Sequence, residues 1–222
     1  VWRGEGVVSL DDTLLLKTGK KIPGAGKFWN HNSNSYVHAQ CLVTSHYVDM
    51  NKDYPVDYRQ YFKRDSSEAE ETGFRSKVDL AIDLVNACER LGVAAENYVF
   101  DAWYLSKRLT DHVEACGKGW VSRLKANRIV YHEERRMSVK KFGKTVPGEA
   151  FKALKVLDKT YWAYSQVLDV NKIGKVRVVI CYDNEKLKGK PVFLATNRLY
   201  WEESRVVQCY SLRFRIDTFY GD

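Results

Sequence analysis

Hydrophobic and polar positions change period several times along the chain, and each change predicts an element. Val7-Val8-Ser9-Leu10 is a short apolar run that reads as a strand and stops at Asp11-Asp12-Thr13. Lys17 to Lys27, broken by glycines and a proline, reads as a flexible basic loop. His38 to Met50 and Tyr54 to Phe62 carry mixed alternation, with Pro55 near the start of the second, and predict consecutive strands of an antiparallel meander. Asp65 to Thr72, acidic and polar, reads as a linker. From Phe74 to Leu91 the period lengthens: Val78, Ala81, Ile82, Val85 and Cys88 fall at i, i+3, i+4, i+7 and i+10, which predicts an amphipathic helix ended by Gly92 as an αL cap. A strand over Tyr98 to Asp101, a helix from Tyr104 to Cys116 and a strand over Trp120 to Leu124 follow.

Past Ala126 the pattern becomes that of short strands. Tyr161 to Val170, Val176 to Tyr182 and Val192 to Thr196 are apolar or alternating, and the segments between them are turn-like. A final helix is expected from Glu202 to Tyr220, with Val206, Val207, Tyr210 and Phe214 on one arc and Asp217 within it. The order of strands and helices predicts an α/β fold whose sheet starts antiparallel and continues parallel. It divides into residues 1–125, a β-rich insertion over 126–200, and a terminal helix over 201–222.

Charge sharpens this picture. The formal net charge is +8, and residues 101 to 155 hold 13 Lys and Arg against 6 Asp and Glu. A basic segment suits a polyanionic partner such as nucleic acid, although a solvated lysine-rich face has the same composition. With 45% hydrophobic residues the chain is expected to bury a core, and no 18-residue apolar run predicts a membrane span. Five scattered cysteines without a CxxC pair argue for a reducing, cytoplasmic setting and against a disulfide frame or a zinc site. The basic loop lacks the order of a phosphate-binding P-loop, the histidines lack metal-ligand spacing, and His132-Glu133-Glu134 reads as surface.

Three acids remain to be explained, at Asp11 or Asp12, Asp101 and Asp217, each ending or sitting on an apolar element. A carboxylate in such a place is costly unless capped, paired or bound to a cation. For Asp101 the bland reading is the N-cap of the next helix. For Asp217 it is an ion pair with Arg213, worth at most about 0.5 kcal/mol when exposed. The chemical reading is a carboxylate cluster holding hard divalent ions, which suits hydrolysis of a phosphodiester.

The series Asp11-Asp12-Thr13, Phe100-Asp101-Ala102-Trp103-Tyr104, Arg123-Leu124-Lys125-Ala126-Asn127-Arg128 and Tyr210-Ser211-Leu212-Arg213-Phe214-Arg215-Ile216-Asp217 resembles the DDE-type insertion-sequence transposases that carry a Tyr-x2-Arg-x3-Glu-x6-Lys signature. The resemblance spans essentially the whole chain. It implies a ribonuclease H-like mixed sheet with flanking helices and a β-rich insertion before the last helix, in a prokaryotic, nucleoid-associated enzyme that cuts and rejoins DNA. It further implies Asp11, Asp101 and Asp217 as catalytic metal ligands, with Asp12 the alternative to Asp11, for two Mg²⁺ or Mn²⁺ ions. Tyr210 and Arg213 match the signature as phosphate contacts. Lys17, Arg123, Lys125 and Arg128 are wider DNA-contact candidates, Trp162 is a candidate for base stacking, and the expected assembly is a homodimer on paired DNA ends. The third acid is Asp where the signature has Glu, and the signature Lys would fall just past residue 222, so the given sequence reads as a fragment. A nuclease without joining activity and an inactive DNA-binding remnant are the competing readings.

Overall fold

The computed structural model describes residues 6–19 and 21–214. Asp217 therefore lies outside the described residues. The fold is mixed α/β, as expected, and the chain separates into two compact units, one formed by residues up to Ala95 and one running from Glu96 to Arg213.

The first unit is built on a long strand, β3 (Ser35–Val48). β1 (Val7–Leu16) pairs antiparallel with it on one edge. β2 (Gly26–Asn30) and β4 (Asp53–Tyr61) pair antiparallel with the other edge, since Ala39 faces both Leu16 and Gly26, and Cys41 faces both Leu14 and Tyr61. Two helices follow, one short and one long. α1 (Ser67–Thr72) occupies the stretch read as a linker: Ser66 caps it, and its Glu68 accepts the Gly24 N–H at 2.5 Å, so the acidic segment pins the basic loop. α2 (Lys77–Arg90) is the expected amphipathic helix. It opens with a reciprocal capping box between Ser76 and Asp79, and closes at Gly92 with φ of 65° and a Val93 N–H to Cys88 C=O bond. Its buried face, Leu80, Ala81, Leu84 and Val85, packs on β3 and β4.

β1 corrects one boundary with consequences. The strand does not stop at Asp11 but continues to Leu16, because Leu14 to Leu16 keep the ladder with Ala39 to Cys41. Both acids sit in mid-strand, and the period of two sends them to opposite faces of the sheet. β2 likewise lies partly inside the stretch read as loop.

The second unit begins with β5 (Asn97–Phe100), buried at all four positions. α3 (Lys107–Ala115) starts three residues later than the pattern implied, because Ser106 caps it through the Leu109 N–H. β6 (Gly119–Leu124) then pairs parallel with β5. After a β-hairpin, β7 (Ile129–His132) and β8 (Arg135–Ser138), come α4 (Val139–Thr145), β9 (Lys152–Val156), β10 (Lys159–Val170), β11 (Gly174–Tyr182) and β12 (Val192–Thr196). Glu133-Glu134, expected only to lie at the surface, join β7 to β8 with φ of 48° and 63°, the left-handed pair that a two-residue hairpin needs. Within this unit the strand order is β5-β6-β12-β11-β10-β7-β8, antiparallel throughout except for β5 and β6, and β9 pairs with β10.

α5 (Glu203–Ser211) packs on β6, β9, β10 and β12, burying Val206, Val207 and Tyr210 as the arc required. Phe214, placed on that arc by the sequence, is 55% exposed, and Leu212 is buried instead. The regular helix ends at Ser211, so the 100° spacing no longer holds beyond it.

Candidate active site

Parallel strands end side by side, and their carboxyl ends are where the backbone opens toward a ligand. In the second unit Phe100 pairs with Ser122, so the residues just beyond, Asp101 and Arg123, leave the two strands together. The Ser122 hydroxyl donates to the Asp101 C=O at 3.1 Å and ties the two ends. Opposite ends are clamped: the Arg198 guanidinium donates to Asn97 Oδ1 at 3.1 Å and to the Glu96 C=O at 3.0 Å, and the Trp120 N–H donates to Asn197 Oδ1 at 2.9 Å.

Asp101 is held by its own turn. Its Oδ1 accepts the backbone N–H of Trp103 at 2.7 Å and of Tyr104 at 3.3 Å, while Oδ2 takes part in neither bond. The capping reading was half right: the carboxylate caps a turn, and the helix proper has Ser106. Such a turn fixes the orientation of the side chain and leaves one oxygen to a further partner.

Around this carboxylate lies a pocket of about 390 Å³. Asp101 and Ala102 follow β5; Arg123 and Leu124 end β6 and Lys125 and Ala126 follow it; Pro191 precedes β12, which supplies Phe193; Tyr210 lies on α5 and Arg213 just past its end. Five of the candidate residues, separated by more than a hundred positions in sequence, therefore line one cavity. The lining holds one carboxylate against three cations and a phenol, so its field attracts a phosphate group, and Arg offers a planar fork suited to it.

The remaining candidates stand elsewhere. Arg128 donates through Nη2 to the Leu105 C=O at 3.1 Å, tying the turn after β6 to the segment before α3. Trp162 is half-buried in mid-strand, opposite Tyr182 on β11 and Ala153 on β9. In the first unit Lys17 extends the β1–β3 ladder through its N–H to the His38 C=O at 2.9 Å.

Asp11 and Asp12 are distinguished by what surrounds them. Asp12 lies on the α2 side of the sheet, where its Oδ2 receives the Lys77 ammonium at 2.6 Å and the Cys41 thiol at 3.7 Å. Burial opposes the charge on Lys77, but the Asp12 carboxylate and the Cys41 sulfur together outweigh it and raise the Lys77 pKa above its ordinary value. Burial, reinforced by Asp12, pushes the Cys41 thiol up to about 12. Asp12 is thus committed to an ion pair. Asp11 faces the other way, and its Oδ1 accepts the Asp12 N–H at 3.0 Å. The sequence contained a signal for Lys77: it shares the stripe of Leu80, Ala81 and Leu84 at i+3, i+4 and i+7, where a cation needs a buried partner.

Among the described residues, no group of three or more His, Cys, Asp or Glu side chains stands together as a ready-made metal cage. Within the pocket Asp101 is the one acidic side chain of the described lining, so a hard ion held there would need further acids or substrate phosphate oxygens to complete its shell. No helix among the described residues is long and apolar enough to cross a membrane.

Fold and pocket together define a mixed α/β protein with a phosphate-attracting cavity that also presents a carboxylate. The chain belongs to the DDE superfamily endonuclease family, whose model matches residues 2–159. That match includes Asp11, Asp101, Arg123 and Lys125 and stops short of Tyr210 and Arg213. No curated protein sequence matches. Among solved structures, the NurA nuclease from Sulfolobus solfataricus is similar over 95% of this chain and 73% of its own, at 10% identity and a TM-score of 0.41, a likeness too distant to bear on function.

Proposed function

We propose that this member of the DDE endonuclease family is the catalytic domain of an insertion-sequence transposase, cutting DNA at the element's ends and joining the freed 3′ hydroxyl to target DNA. The observation that carries this reading is the pocket itself: the signature residues Tyr210, on α5, and Arg213, just past its end, line the same cavity as Asp101, Arg123 and Lys125. Arg213, Arg123 and Lys125 hold the phosphates on either side of the scissile bond, and the Tyr210 phenol orients one of them. Asp101, locked by its turn, presents Oδ2 to a metal. Asp11 and Asp217 complete the ligand set in this reading, with Asp12 kept out of it by Lys77. Asp11, Asp101 and Asp217 would hold two Mg²⁺ or Mn²⁺ ions, which when bound would supply activation of the attacking water or 3′ hydroxyl and stabilisation of the leaving oxygen. Two copies of the chain act together, one on each end of the element.

The test uses the intact protein on DNA carrying the element's ends. Asp11→Asn, Asp101→Asn and Asp217→Asn should each abolish Mg²⁺-dependent cleavage, and a substitution that leaves cleavage undiminished removes that residue from the site. The family's description extends to endonuclease activity alone, which favours a second reading without joining. A pre-cut end with a free 3′ hydroxyl separates the two, since only a transposase joins it to a target.

A further inference from the structure

No acid occurs between Asp12 and Asp49, a stretch that contains Lys17, Lys20, Lys21 and Lys27, and much of it folds into the β2–β3 hairpin of the first unit. Register shows how its side chains are arrayed. Lys27 pairs with His38 and Trp29 with Tyr36, so these four share one face of the ribbon. Followed along β3 by steps of two, the same face carries Gln40 opposite Leu15, Leu42 opposite Thr13 and Thr44 opposite Asp11. The hairpin thus continues the face on which Asp11 lies, on the side of the sheet away from Lys77 and α2.

The hairpin face is exposed and organised. Trp29 is 41% and Tyr36 60% exposed, their rings meet edge to face at 5.0 Å, and the Lys27 ammonium sits 4.6 Å above the Tyr36 ring. Large aromatic rings left in water next to a lysine cost solvation that a solitary surface residue does not, and their combination with the lysines of a sequence stretch without acids matches a sugar-phosphate backbone. The tip, Asn30-His31-Asn32-Ser33-Asn34, holds no Lys, Arg, Asp or Glu and is rich in amides. Asn30 Oδ1 closes the turn by accepting the Asn32 N–H at 2.9 Å.

We propose that the β2–β3 hairpin is a DNA-binding ribbon that grips duplex DNA, with Lys27, Trp29 and Tyr36 on its backbone and the amide-rich tip at a groove. A two-stranded ribbon has the width a major groove admits. From Thr44, opposite Asp11, to Tyr36 is eight residues of strand, so the hairpin face stands about 26 Å from Asp11. The inference rests on the nuclease reading for its substrate but assigns contacts outside the pocket.

The experiment measures binding of the intact protein to a fluorescein-labelled duplex by anisotropy in EDTA, so that catalysis plays no part. Trp29→Ala with Tyr36→Ala should weaken binding by roughly 10-fold, and Lys27→Ala should lower the salt dependence of log K by about one. Unchanged melting temperatures exclude misfolding, and the milder Trp29→Phe should restore part of the loss. If the hairpin variants bind as wild type while Arg123→Ala binds less tightly, the ribbon is not a DNA contact and the pocket reading stands. If they instead alter the sedimentation of the free protein and leave DNA binding intact, the face is a self-interface and the inference is overturned. If the wild-type protein fails to bind the duplex at all, the inference and the nuclease reading fall together.

Discussion

A carboxylate at a strand end has two jobs open to it, and Asp101 shows how a side chain of two oxygens can do both. Oδ1 satisfies the Trp103 and Tyr104 N–H groups, and Oδ2 is left for chemistry. The roles separate by substitution. Asp101→Asn keeps an acceptor and should preserve stability while losing more than about 100-fold in metal-dependent cleavage; Asp101→Ala should lose cleavage and about 1 kcal/mol of stability as well. Urea unfolding run beside a cleavage assay checks both.

Lys77 makes a second residue-scale point. Removing it as Lys77→Met leaves the Asp12 carboxylate half-buried without its counter-charge and should cost about 1 to 3 kcal/mol. Because the folded protein raises the Lys77 pKa above 10.5, the contribution of the ion pair is complete below that pH and fades as pH climbs through the raised value. Cys41, pushed up to about 12, also costs stability in the alkaline range, so the comparison belongs in a Cys41→Ala background. In that background, a stability advantage over Lys77→Met that persists undiminished above pH 11 or so would contradict the assignment.

At the scale of elements, the site depends on β5 and β6 being held in register at the end away from the pocket. Gly119 opens β6 where a Cβ would collide with both the Arg198 guanidinium and Asn97 Oδ1, the two groups that clamp that end. Gly119→Ala should therefore cost about 1 to 3 kcal/mol, and should lower cleavage in step with any slip of Asp101 relative to Arg123. Chemical denaturation together with cleavage kinetics tests this. The elements themselves were largely legible. α2 was announced by apolar spacing and by Gly92, and β10, β11 and β12 by alternation between turn residues. Misreadings arose where local composition was overridden by long-range bonds. The acidic stretch before α2 became helical because Ser66 caps it and Gly24 engages Glu68; β1 ran past its acids because β3 supplied a ladder.

For the whole molecule, net charge sets the character of any DNA complex. With +8 overall and the excess concentrated in residues 101 to 155, binding should weaken steeply with salt. Replacing Arg123, Lys125 or Arg213 by Ala should each reduce the slope of log K against log salt by about 0.9, measured by anisotropy between about 50 and 200 mM salt. A slope unchanged by all three would remove the pocket from the DNA path.

The amino-acid order alone determined the alternation of strands and helices, the surplus of positive charge and the short list of acids worth suspecting, because period, capping and composition are local properties. It could name Tyr210 and Arg213 beside Asp101 only through resemblance. That they line one cavity with Arg123 and Lys125 was decided by tertiary structure, through the parallel pairing of β5 with β6 and the packing of α5 across the sheet. The choice between Asp11 and Asp12 has the same origin. Neighbours in sequence, they differ physically because one meets Lys77 on a helix sixty-five positions away and the other is turned to the opposite face.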